Sequence, residues 1–225
     1  MAANVSYAIK QLVKEFNKTY PNTKVRVTLG GSGKLAAQIK HGAPYDIFMS
    51  ANMKYPHVLY SESLAITKPL VYASGSLALL SVKKQNFNDM IALLNSSTIK
   101  RIAVANPRTA PYGAATLEAF KNADTFKDIK HKFIYAESIS QTLSYVFTAA
   151  SIGVVAKSAL YSPKMARFKE DQNWKEIDPR LYTPIQQGIV ILKKGQNRKE
   201  VQTFYDFILS DASRKILQNF GYSLP

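Results

Sequence analysis

The sequence predicts an α/β protein with mainly parallel sheets. Short apolar runs alternate with amphipathic stretches along the whole chain, and glycine- or proline-containing breaks separate them. No heptad run, low-complexity segment or solenoid-length repeat competes with that pattern. The 225 residues leave room for one large domain or two small lobes, each with its own core. At 46% hydrophobic and 20% charged, the composition is globular rather than disordered.

The first element is an amphipathic helix within 4–20, where Val5, Ala8, Ile9, Leu12, Val13 and Phe16 recur at helical spacing. YPNTK breaks it, and 25–29 alternates as a strand with Arg26 and Thr28 outward. A glycine loop follows, then a helix over 35–40 stopped by Gly42 and Pro44. DIFMSA reads as a short buried strand. Further strands are expected at 77–82, 101–105, 132–135, 151–156 and 188–192. Helices are expected at 87–94, 112–122 and 139–150, and two more, 199–209 and 212–219, make the tail.

The formal charge of +15 suggests an anionic partner. Yet the basic residues are scattered, with doublets such as Lys83–Lys84, Lys100–Arg101 and Lys193–Lys194 but no basic block and no basic–aromatic signature. The charge therefore reads as a solvated lysine-rich surface, with no nucleic acid as partner. No apolar run approaches the roughly 18–20 residues of a membrane span. Met1 is followed by polar, helix-like sequence rather than by a signal-peptide pattern. The absence of cysteine excludes disulfides, zinc–thiolate sites and thiol catalysis.

The most informative stretch is LGGSGKLAAQIKHGAPYDIFMSA, which places Gly30, Gly31, Ser32 and Gly33 directly before a helix. A phosphate-binding P-loop needs G-x-x-x-x-G-K-[ST]; with Gly33-Lys34 in register, Thr28 and Leu35 fall on the other two anchors and fail them. A nucleophile elbow needs G-x-S-x-G, and Lys34 stands where its second glycine belongs. His41, His57 and His131 sit in no triad or metal-ligand motif. Two readings stay open. The loop is either a flexible turn with a solvent-facing serine, or an anion site. In the anion site, glycine N–H groups form a nest, the helix adds its positive end, Ser32 donates its hydroxyl, and Lys34 is a solvated bystander. APYGAATLEAF in the middle of the chain repeats the loop–helix arrangement, as a clamp of two helix N-termini would require.

The residues GGSGKLAAQIKHGAPYDIFMSA resemble the molybdate-binding periplasmic proteins of ABC transporters. The resemblance covers nearly the whole chain, through AANVSYAIKQLVKEF, IAVANP, PYGAATLEAF, YAESISQTL, GVVA and the tail FYDFILSDASRKILQNFGYSLP. It implies a type II periplasmic-binding-protein fold, with two lobes and a ligand cleft between them. Lobe 1 would be 1–74 plus 191–225 and lobe 2 would be 75–190. It further implies a tetrahedral oxyanion, molybdate or tungstate, held by hydroxyl and N–H donors. No cofactor takes part, and no metal is ligated by the protein beyond the molybdenum of the anion. The donors would be Asn4, Ser32, Gly33, Tyr112 and Ile139, with Gly31, Ala156 and Lys157 as further candidates. Asn4 stands where the family has a serine, and its amide can still donate or cap. Asp46 would be a structural cap, because a carboxylate repels the ligand. Ala156 replaces a tyrosine that many relatives carry, so Lys157, Tyr112 or another group would have to supply that hydrogen bond. The family starts with a signal peptide and a strand ahead of this opening helix; either the sequence is trimmed at its start, which is the expectation, or the first sheet has lost a strand that should be central. The resemblance implies a periplasmic monomer that delivers its anion to a membrane permease and is no enzyme. Another small anion such as sulfate or phosphate is the alternative ligand. A cleft enzyme using Ser32 or the sensing domain of a regulator are alternative roles.

Overall fold

In the computed structural model, which describes residues 1–225, the amphipathic opening resolves into a 3-10 turn, Ala3–Tyr7, and helix α1, Ile9–Thr19. Then come α2 (Ser32–Lys40), β1 (Ile47–Ser50), α3 (Lys54–Ser61), β2 (Leu70–Gly75), β3 (Leu77–Leu80), α4 (Met90–Asn95), β4 (Ile102–Ala105) and α5 (Pro111–Asn122). The short α6 (Phe126–Ile129), β5 (Phe133–Ala136), α7 (Ile139–Thr148), β6 (Ile152–Ala156), α8 (Lys157–Leu160) and β7 (Trp174–Glu176) follow. β8 (Ile185–Ile191), α9 (Lys199–Leu209) and α10 (Asp211–Asn219) complete the chain. By contacts it divides into two units, Met1–Gly75 with Gln186–Pro225, and Ser76–Ile185.

The first unit holds a three-stranded sheet in the order β1-β8-β2, with β1 antiparallel to β8. Both faces of this sheet are covered, which is why its strands read as continuous apolar runs. Met49, Ile189 and Ile191 face a core built with Leu12, Phe16 and Phe204. Phe48, Val190 and Leu192 alternate to the other face, against Leu35, Ile39 and Leu59. Phe16 and Phe204 meet edge to face at 5.0 Å, tying α1 to α9.

The expected strand at 25–29 does not form. The segment joins no ladder beyond a single parallel bridge between Ala2 and Gly30, and Val27 and Leu29 remain exposed. A groove of about 610 Å³ separates it from β1, floored partly by Val201 and Phe204. Successive backbone groups point to opposite sides of an extended chain. Met49 C=O accepts from the Ala2 N–H at 2.7 Å, so Ile47 turns its own N–H and C=O into the groove. Thr28 C=O accepts from the Met1 nitrogen at 2.7 Å. The alternation in 25–29 is that of a strand, but the segment forms no ladder.

The second unit carries a five-stranded mixed sheet in the order β5-β4-β6-β3-β7. β4 runs parallel to both β5 and β6, while β3 is antiparallel to β6 and β7. The three parallel neighbours β5, β4 and β6 therefore end at one edge. α7, α5 and α8 are the helices that follow them there. α7 packs over the sheet, with Val146 against Ala103 and Val155 in the core that Trp174 closes.

Candidate functional site

In the first unit the glycine loop delivers its donors differently from the nest expected. None of Gly30, Gly31 and Gly33 adopts a positive φ; Gly31 is extended at φ −61° and ψ 138° and serves as the N-cap of α2. A nest needs left-handed residues, so the donors here come from the helix end alone. Gly31 has no side chain with which to cap, and the first intrahelical bond to it is made by Leu35 N–H. The N–H groups of Ser32 and Gly33 accordingly meet no acceptor within the chain.

Ser32 is buried, and its Oγ accepts a hydrogen bond from the Ala51 N–H at 2.9 Å. That bond occupies a lone pair and leaves the hydroxyl proton for another acceptor. No histidine or carboxylate bonds to this hydroxyl, so it has no general base. Gly30 lies beside Ala2 and Ala3; the Ala3 N–H bonds to Gly30 C=O at 3.0 Å, and this brings Asn4 next to the loop.

Asn4 is buried and does not cap the 3-10 turn it belongs to. Its Nδ2 donates to Gln187 Oε1 and to Tyr222 Oη, each at 2.9 Å, and Tyr222 Oη donates back to Asn4 C=O at 3.0 Å. The expected free side-chain donor is therefore corrected: both amide protons are engaged inside the first unit. Gln187 and Tyr222 lie 183 and 218 residues from Asn4, and no sequence motif announces either. Asp46 pairs with Arg198 at 2.8 Å and its C=O accepts from Leu192 N–H, consistent with a structural role.

In the second unit, α5 and α7 begin beyond the carboxyl ends of the adjacent strands β4 and β5, where Ala105 pairs with Ala136. Gly113 permits this closeness for α5, since a Cβ there would lie 2.1 Å from Ala105 C=O. Ala110 caps α5 without a side-chain bond, and Pro111 has no N–H, so Tyr112 carries the first N–H of that helix. α7 has a real cap: Ser138 Oγ accepts from Gln141 N–H at 3.3 Å, and Gln141 Oε1 accepts from Glu137 N–H at 2.6 Å. Those bonds leave the N–H of Ile139 without an acceptor in the chain. None of α2, α5 and α7 has an acidic residue in its first turn.

Ala156 ends β6 and is buried, with no side-chain donor. Lys157 follows it, but its Nζ is bonded to Glu176. Burial works against that ammonium, yet the hydrogen bond and charge of Glu176 outweigh it and hold the pKa above the usual lysine value. The cation is thus neutralised locally. Each unit by itself assembles short-range donors at helix starts, with no metal cluster of three His, Cys, Asp or Glu.

The chain matches the profile of the bacterial extracellular solute-binding proteins over residues 1–223. It is 31% identical to the molybdate-binding protein ModA of Azotobacter vinelandii over 226 residues, covering 100% of this chain and 88% of the relative. ModA of Rhodobacter capsulatus is 30% identical, with 99% and 86% covered. The solved periplasmic molybdate-binding protein of Azotobacter vinelandii has a TM-score of 0.91 at 28% identity, covering 100% of this chain and 97% of that one. The chain belongs to the bacterial extracellular solute-binding proteins, as a ModA-like member.

Proposed function

We propose that this protein binds a tetrahedral oxyanion, molybdate or tungstate, and delivers it to the membrane permease of an ABC transporter. The observation that carries the reading is Ser32: a buried hydroxyl at an uncapped helix start, polarised by the Ala51 N–H and flanked by the N–H groups of Ser32 and Gly33. Asn4, from the first unit, and Tyr112 and Ile139, from the second, complete the proposed donor set. Gly31 and Ala156 offer only main chain, and Lys157 is committed to Glu176. The molybdate-binding relatives support the choice of anion.

Neutral dipoles suffice for such a ligand. Charge-assisted hydrogen bonds contribute about 1.5–3 kcal/mol each. Five of them supply on the order of 8–15 kcal/mol against an association cost of at least ~4, so the upper part of that range reaches micromolar binding or tighter. A donor set fixed at one radius favours one anion size and leaves a smaller one such as sulfate underbonded. The protein acts as a periplasmic monomer and performs no chemistry, since Ser32 lacks a base. Calorimetry with molybdate, tungstate, sulfate and phosphate tests this: molybdate and tungstate bind alike and far more tightly than the others. Tight phosphate or sulfate binding with neither molybdate nor tungstate bound refutes it.

A further inference from the structure

We infer that Tyr182 supplies a further donor to the bound anion, a buried phenol hydroxyl of the second unit. The inference rests on the oxyanion reading above and adds one residue to it.

The Tyr182 hydroxyl repeats the arrangement found at Ser32. Tyr182 is 5% exposed, and its Oη accepts from the Leu77 N–H at 3.1 Å, as Ser32 Oγ accepts from the Ala51 N–H. Ser76 also bonds to the phenol and lowers its pKa, which is the action of a donor. Both neighbours therefore occupy lone pairs of Oη, and its proton meets no acceptor in the chain. Glu176, whose charge reaches the phenol, is bonded to Lys157 instead. Burial is the largest influence and holds the phenol above the usual tyrosine pKa, so the proton stays on the oxygen at neutral pH. A buried donor without an acceptor is costly, and an anion that accepts from it removes that cost.

The fold puts this hydroxyl at the edge where α5 and α7 begin. Leu77 opens β3 and pairs with Ala156, the last residue of β6. β6 runs parallel to β4, and β4 to β5, so this end of β6 lies on the side from which α5 and α7 start. Ala156 has no side-chain donor, and Tyr182 brings one to the neighbouring strand. α5 also packs against β3 and β6 and holds the segment that carries Tyr182. Asn122 Nδ2 donates to Leu181 C=O at 2.9 Å. Glu118 Oε1 accepts from the Thr183 N–H at 3.0 Å and from the Thr183 hydroxyl at 2.7 Å. Tyr182 is thus fixed through the residue before it and the residue after it.

Tyr182→Phe removes the hydroxyl and keeps the ring. By calorimetry on the full chain, the molybdate Kd should rise about 10- to 100-fold. Thermal scanning without ligand reads the separate loss of the acceptor for the Leu77 N–H. A variant that melts lower yet binds molybdate within twofold of the parent would make Tyr182 a brace for β3 and overturn the inference. A ring-fluorinated tyrosine at this position covers the case of a poorly folded phenylalanine variant, because it keeps the ring and the hydroxyl and makes the phenol a stronger donor. At about pH 6, where that phenol stays protonated, the molybdate Kd should fall about twofold or more. An unchanged or higher Kd with the fluorinated residue also overturns the inference. If the unmodified protein binds neither molybdate nor tungstate, the oxyanion reading itself fails and the inference falls with it, a result distinct from the other two.

Discussion

Replacing Ser32 with alanine separates two jobs that one oxygen performs. In the free protein Oγ accepts from the Ala51 N–H at 2.9 Å in a buried setting. Alanine strands that N–H, and a buried unsatisfied donor costs about 1–3 kcal/mol. For a chain of this size each kcal/mol moves the melting temperature by about 2–4 °C, so the variant should melt about 2–12 °C lower without any ligand. The bound state loses a second bond, from the hydroxyl proton to the anion, worth about 1.5–3 kcal/mol. At about 1.4 kcal/mol per decade that raises the molybdate Kd about 10- to 150-fold. Thermal scanning reads the first quantity and calorimetry the second. Ser50→Ala is the control, because Ser50 Oγ bonds only locally to Asn52. A variant that melts lower yet binds molybdate within twofold of the parent would make Ser32 a structural brace and refute its place in the donor set.

Gly113→Ala puts a Cβ 2.1 Å from Ala105 C=O, so the start of α5 must back away from β4. Overpacking of this kind costs about 1–3 kcal/mol or more, and both the melting temperature and molybdate affinity should fall; unchanged binding would remove Tyr112 from the site. Lys157→Ala should leave the Kd within about threefold, since Nζ is bonded to Glu176; a tenfold loss would show the lysine reaching the anion. The raised pKa of Lys157 means that the pair's contribution is complete below the usual lysine range and is lost only as pH rises through the raised value. That pair is thus intact across the whole pH range of a binding assay. The proposed donors are main-chain N–H groups and one serine hydroxyl, none of which ionises between about pH 6 and 9. Affinity should therefore be flat over that range, and a tenfold change centred near about pH 6.5 would point to a histidine instead.

Helices whose ends carry their own signals are legible in the residues alone. The tail helix 199–209 coincides with α9, and 112–122 differs from α5 only by the proline that starts it. α3 is hidden because Pro56 lies inside its first turn and interrupts the pattern. β7 is three residues long, too short for alternation to register. The segment 25–29 shows the opposite failure: periodicity describes how side chains alternate, while a strand is defined by hydrogen bonds to neighbours the segment does not name. Ser32 and Gly33 stand out because glycine before a helix is a local signal. Gln187 and Tyr222 do not, because their partner is Asn4, across nearly the full length of the chain. Nor does the sequence dictate the conformation of Gly31, since glycine permits both the nest and the extended cap that it adopts.

The groove between β1 and 25–29 bears on colloidal behaviour. Lys24 and Arg26 line it, and the whole molecule carries +15. Mutual repulsion between copies acts as long as the charges are felt across the approach distance. At about 0.01 M ionic strength that distance is about 30 Å, and at about 1 M it is about 3 Å, shorter than the spacing between neighbouring strands. The lysine-rich surface thus keeps copies apart in a salt-dependent way, and concentrated salt weakens that repulsion.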